Sequence, residues 1–315
     1  PGAYTTVTVR LDPTTDGEAL ATLSATADTG QGAVSGTARA TVAAGAPVED
    51  TFTGIQAAPV DILFAVDQSC SMDDDAAQLG ENFSAFIDTL QAGTTDWQLG
   101  VVTYDTGCFN SGVLTTSTPD LADVFADAVV AGEDREISDD EALLQLASRA
   151  LSLSGTGDCN AGFARKDALV HVIVVSDEPE RSEEQASAWT WQHWRDQLAA
   201  LASPLVVSGI IDTDGCNEGS DGYADIIADT GGEALSICTG DWEDYAITLA
   251  HASLAWLYSL PLSQTAIADT ITVTADGAPL SGGWRYDEDL NTVFLDDVSE
   301  EATVVVTYTV AEECP

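Results

Sequence analysis

Between residues 59 and 260, apolar runs of strand length alternate with stretches whose apolar residues recur every three or four positions, and this alternation restricts the fold more than any other feature. The apolar runs are 60–66, 99–104, 169–175, 205–211 and 234–237. Between them lie the helix-period stretches 76–90, 121–130, 141–153, 186–202, 223–229 and 242–257. A strand that is apolar on both faces must be covered on both faces, and crossover helices achieve this. The pattern predicts an α/β fold of about 200 residues, a doubly wound, mainly parallel sheet with flanking helices.

The flanks read differently. Residues 4–11, 19–27 and 38–43 carry Thr, Val, Ala and Gly in short β-like stretches, and β texture returns after Pro261 at 270–275, 283–286, 291–295 and 302–310, with Asp276-Gly277 as a turn. Each flank is too short to bury a core alone. We expect 1–57 and 261–315 to pack together as a smaller all-β sandwich into which the 58–260 domain is inserted; two separate β-subdomains are the alternative.

Charge excludes several partners. The chain has 53 acidic residues against nine basic ones, a net charge of −44, which repels nucleic acid and anionic membrane surfaces. Such self-repulsion is tolerated best where salt or calcium screens it, although an acidic surface that only keeps the chain soluble gives the same composition. No apolar run is long enough to span a bilayer, so no membrane insertion is expected. The chain begins at Pro1 without a basic leader, as a mature or excised segment would. Cys70, Cys108, Cys159, Cys216, Cys238 and Cys314 form an even set without a C-x-x-C pair, which reads as disulfides outside the cytoplasm.

The sharpest local feature is Asp67-Gln68-Ser69-Cys70-Ser71, directly after the 60–66 run, where open α/β sheets place ligands. Oxygen side chains at alternate positions can share one side of a loop, and hard cations such as Mg2+ or Ca2+ prefer oxygen. Two serines leave such a cation with few compensating charges, ready to accept a carboxylate from another molecule. The same residues also serve as helix N-caps.

With Asp67, Ser69 and Ser71 in this D-x-S-x-S pattern, and with the stretches 60–67 and 100–105 typical of first and second strands, residues 59–260 resemble the von Willebrand factor A (VWA) family. The resemblance implies a metal-ion-dependent adhesion site that holds Mg2+, or Mn2+ or Ca2+, with Asp177 after the 169–175 run as the last ligand. The family's middle ligand is a Thr or a carboxylate. The loop 132–140 has no Thr; spacing favours Ser138, with Glu136, Asp140 and Glu141 as alternatives. Asp73, Asp74 and Asp75 resemble the acidic pair beside the adhesion site of integrin β-subunit domains, which makes Asp74 and Asp75 candidates for a second metal; acids in a helix's first turn also complement its dipole. The stretch 160–168 is similar to one found in many bacterial members, which implies a bacterial or phage origin.

Other constellations point to packing. His171, His193 and His251 lack the spacing of a zinc site. Trp189, Trp191 and Trp194 could form a sugar platform, yet Trp191, Trp194, Leu198 and Leu201 share one helical face, which favours a core role. Ser69 stands where an aspartyl-phosphate enzyme would want a second Asp, and neither a G-x-S-x-G elbow nor a phosphate-binding loop occurs, so no enzyme is expected. Cys216 and Cys238 are expected to pair, and Cys70 to bridge to Cys108 or Cys159.

The expected function is adhesion, with a protein or acidic glycan as partner, on a cell or virion surface and within a larger assembly. The alternative is a structural component of a virion tail or surface filament in which the metal only stabilises; a metal-assisted hydrolase is a distant third.

Overall fold

Chain order opens with β1 (Gly17–Thr26), β2 (Ala33–Val42) and β3 (Val48–Phe52). A computed structural model describes residues 17–26, 33–42, 47–55, 57–94, 96–103, 106–131, 142–166, 168–182, 190–202, 204–255, 257–288, 290–296, 298–299 and 301–310; for β1, β2, Cys70 and Asp73 it describes the backbone. Among the described residues the chain divides into two compact units, one from Pro1–Ile55, Leu260–Val293 and Val298–Pro315, the other from Gln56–Ser259 and Phe294–Asp297.

The larger unit contains β4 (Val60–Val66), α1 (Asp73–Gly93), β5 (Trp97–Val102), α2 (Leu121–Val129), α3 (Leu143–Ser152), β6 (Leu169–Ser176), α4 (Trp191–Leu201), β7 (Leu205–Ile211), α5 (Tyr223–Thr230), β8 (Ala234–Ser236) and α6 (Trp242–Leu254). The strands form one parallel sheet of order β5-β4-β6-β7-β8. Every residue of β4 and β6 is buried, as central strands covered on both faces must be. Side chains alternate between the faces: Ile62, Phe64 and Val66 pack with α1, α2 and α6, whereas Leu63 and Ala65 pack with α3, α4 and α5. This is the doubly wound α/β architecture that the apolar periodicity predicts.

A polar residue interrupts the apolar run of β6. His171 is wholly buried, and its Nδ1 and Nε2 lie 2.7 Å from Ser253 Oγ and 2.8 Å from Ser208 Oγ. Ser253 Oγ donates to Leu249 O and Ser208 Oγ accepts from Glu233 N, so the ring is the centre of a satisfied chain of hydrogen bonds from α6 to β7. That is a packing role, consistent with the lack of zinc spacing.

In the smaller unit β3 pairs antiparallel with β14 (Val304–Tyr308), and the sheet continues through β10 (Thr272–Ala275) to β11 (Ala278–Pro279). Strands from opposite ends of the chain thus share a sheet. Burial alternates along β3 and β14, the pattern of a sheet with one wet face. A further sheet has the order β12 (Trp284–Asp287), β13 (Thr292–Leu295), β9 (Tyr258–Pro261), and β1 pairs with β2 along ten residues.

Two expectations need correction. Cys108 and Cys159 bond to each other rather than either to Cys70, because the chain after β5 folds back beside that strand, with Leu114 bridged to Leu99, and meets the segment after α3. Leu201 is not core: at 40% exposure it lies on the outer side of α4, where Trp194 and Leu198 are buried and Trp191 packs at the margin. Residues 4–11, Trp189 and Cys314 lie outside the described residues.

Candidate metal centre

The chain leaves β4 for β5 on one side and returns to β6 on the other, so the winding reverses between β4 and β6. Open parallel sheets bind ligands beyond the carboxyl ends of strands at such a reversal. Asp67 follows β4 and Asp177 follows β6, and Val66 and Val175 are partners in the ladder between them. The sheet therefore brings together two acids that are far apart in sequence.

Asp67 is buried and rigidly held. Its N–H donates to Val175 O (3.0 Å), its Oδ1 accepts from Ser69 N (2.8 Å), and its Oδ2 accepts from the Ser176 hydroxyl (2.7 Å). Each carboxylate oxygen keeps a further lone pair. After this turn a short 3-10 segment (Cys70–Met72) leads into α1, with Met72 buried beneath it. Met72 is the N-cap of α1 and no side chain caps that helix, so the Asp and Ser oxygens are not committed to N-capping.

The remaining oxygens converge. Ser69 Oγ lies 3.1 Å from Ser71 Oγ, and Ser71 Oγ donates to Asp177 Oδ1 at 3.2 Å. Neighbouring ligand oxygens are separated by about 2.9 Å around Mg2+ and about 3.5 Å around Ca2+. The observed spacing falls between these values, so the donor set fits a hard divalent cation with little rearrangement. Ser71 is exposed, which leaves the cluster open to solvent.

The cluster carries surplus negative charge. Burial pushes the Asp177 carboxyl up, the Ser71 hydrogen bond pulls it down, and the charges of Asp67 and Glu218 push it up again. Half-buried Asp75, in the first turn of α1, is pushed up to about 6 by burial and then by Asp177 and Asp74, while Asp74 itself is exposed. Arg181 is already engaged by Glu178 (2.8 Å) and by Glu218. A bound divalent cation would offset this crowding. The structure brings Asp67, Ser69, Ser71 and Asp177 together; Ser138, Glu136, Asp140 and Glu141 lie outside the described residues.

Several contributors escaped the sequence reading. Ser176 orients Asp67, and Gln68 Nε2 donates to Val129 O (2.9 Å), tying the metal loop to the end of α2. Glu180 and Tyr223 support the loop after β6. A polar residue closing an otherwise apolar strand was the available signal for Ser176; nothing local marked the others.

A second grouping, Asp212 with Cys216 and Cys238, brings a carboxylate oxygen and two sulfurs within 4.8 Å of one another. The sulfurs form the expected Cys216–Cys238 disulfide and so are not thiolate ligands. Asp212 instead organises the loop, accepting from the backbone N–H groups of Gly215 (2.6 Å), Cys216 (3.1 Å), Asn217 (2.8 Å) and Gly219 (3.0 Å).

No protein-family model matches the sequence, and no curated protein matches it. Among solved structures, the chain is similar to the pilus adhesin SpaC from Lactobacillus rhamnosus GG, with 13% identity over 95% of this chain and 43% of that one and a TM-score of 0.40. It is also similar to proximal thread matrix protein 1 from the mussel byssus (18% identity, 64% of this chain and 48% of that one, TM-score 0.37) and to human COPII-coat protein Sec24c (11%, 85% and 42%, TM-score 0.39). Another structure of the mussel protein has a zinc-occupied MIDAS motif. The chain spans less than half the length of each of these proteins. Scores of this size assign neither fold nor function; the architecture rests on the strand order and burial described above.

Proposed function

We propose that this chain is a metal-dependent binding module of the VWA type. Asp67, Ser69, Ser71 and Asp177 hold a divalent cation, Mg2+ foremost and Mn2+ or Ca2+ next, with Ser138 as the middle ligand. The observation that carries this reading is the convergence of the Ser69, Ser71 and Asp177 oxygens, 3.1 and 3.2 Å apart, at the reversal of strand order. When bound, the cation supplies charge and an open coordination position for a carboxylate of a partner protein or acidic glycan. Ser71 and the turn around Asp67 would help hold the cation, and this role calls for no bond in the partner to be broken.

The setting we propose is extracellular, on a cell or virion surface, with the β unit joining a larger assembly. The Cys108–Cys159 and Cys216–Cys238 disulfides suit an oxidising compartment. Among the described residues no helix is long and apolar enough to cross a membrane.

The test uses a surface that should otherwise repel the chain. With a net charge of −44, the protein is expected to stay off carboxymethyl-dextran in EDTA, to be retained in Mg2+ or Mn2+, and to lose retention as Asp67→Ala. A folded parent that passes through unretained in every cation contradicts carboxylate capture. Equal retention of Asp67→Ala contradicts the site.

A further inference from the structure

We propose that Glu180 and Tyr223 form a positioning pair that sets the affinity of the metal centre, an inference that rests on the metal reading above. Glu180 lies three residues beyond Asp177, in the loop that follows β6. Its Oε2 accepts from Leu144 N in the first turn of α3 (3.0 Å), and its Oε1 accepts from Ser182 N (2.9 Å) and from the Ser182 hydroxyl. Its own N–H donates to Asp221 O (3.0 Å), just before α5.

Tyr223, the first residue of α5, is fully buried; its hydroxyl accepts from Leu143 N (3.1 Å) and donates to the Glu180 carboxylate. The two side chains thus take the N–H groups of Leu143 and Leu144, which α3 cannot satisfy internally and for which it has no side-chain N-cap of its own. A carboxylate at that end also complements the helix dipole. Gly222 makes the approach possible. Its φ is +84°, and a Cβ there would meet Glu180 Cβ at 2.8 Å.

Three elements therefore lock at one half-buried carboxylate: the loop carrying Asp177, the start of α3, and the start of α5. With Glu180 pinned, Asp177 is presented to Ser71 in one arrangement. Without the pin, metal binding has to order the loop and its affinity falls.

The experiment is titration of Mn2+, followed by its electron paramagnetic resonance signal, into the parent, Glu180→Gln, Tyr223→Phe and Asp67→Ala, together with melting of each in EDTA. Glu180→Gln keeps the shape but turns an amide toward one of the donors. Tyr223→Phe is milder and covers the case in which the first variant does not fold. We expect the parent to bind, Asp67→Ala to lose binding, and both pair variants to weaken Mn2+ by about tenfold or more. Unchanged Mn2+ affinity in a folded pair variant, even one that melts earlier in EDTA, overturns the inference and leaves the pair a purely structural role. A parent that binds no Mn2+, or an Asp67→Ala that binds as the parent does, overturns the metal reading and the inference with it.

Discussion

His171 has both ring nitrogens hydrogen-bonded inside the core, and burial lowers its pKa to about 3. In the unfolded chain the ring titrates near its ordinary value of about 6.5, so below that pH the unfolded state binds the additional proton. The stability associated with neutral His171 is fully present above about pH 6.5 and is lost progressively as pH falls toward 3, by up to about 1.4 kcal/mol per pH unit. In urea unfolding between pH 7 and 4.5, the parent should lose stability faster than His171→Gln by that slope; parallel pH profiles would contradict this account. Asn160 is a second buried anchor: it accepts from Phe109 N (2.9 Å) and donates to Gly107 O (2.7 Å) and Ala150 O (2.9 Å). Asn160→Ala should destabilise by about 3 kcal/mol in the same assay, through backbone groups left without partners; a loss below about 1 kcal/mol would mean that water replaces the amide. Asp67, Ser69 and Ser71 were legible in the sequence because their spacing is local. Ser176 offered only the signal of a polar residue closing an apolar strand, and the roles of Glu180 and Asn160 were not legible, because each acts on a partner far away in sequence.

At the scale of elements, strands buried on both faces are continuous apolar runs, so β4, β6 and β7 were legible nearly to the residue. Boundaries shifted where polar residues join regular structure. α1 starts at Asp73 rather than Ala76, which puts Asp74 and Asp75 in its first turn, and β5 starts at Trp97, before the apolar run begins. The Cys108–Cys159 pairing was not legible: it depends on the chain doubling back beside β5, a non-periodic path held by the Leu99–Leu114 bridge. Loop-closure entropy ranks the two disulfides. Bridging residues 51 apart should contribute about 4 kcal/mol, and bridging residues 22 apart about 3 kcal/mol. The pair Cys108→Ser and Cys159→Ser should therefore lower stability more than the pair Cys216→Ser and Cys238→Ser in denaturant unfolding; the reverse order would show that the Asp212-centred loop depends on its bridge for more than chain entropy.

Across the whole molecule, self-repulsion follows from a net charge of −44 on 315 residues. Raising salt from 0.1 to 1 M shortens the screening length from about 10 Å to about 3 Å, so this repulsion weakens and the melting temperature should climb with NaCl. A flat or falling dependence would mean that the acidic surface is already compensated locally. The same charge disfavoured nucleic acid as a partner on sequence grounds alone, whereas the partner is set by shape that no spacing encodes. The central claim is a cation held by Asp67, Ser69, Ser71 and Asp177, and it is tested most directly by thermal unfolding in EDTA and then in Mg2+, Mn2+ or Ca2+ at constant ionic strength, with Asp67→Ala and Asp177→Ala beside the parent. A ligand bound only by the folded state raises its stability, by about 2.7 kcal/mol at a hundredfold excess over Kd. The account predicts a cation-specific rise in the parent that both variants lose; a parent that melts at the same temperature with and without every cation would contradict it.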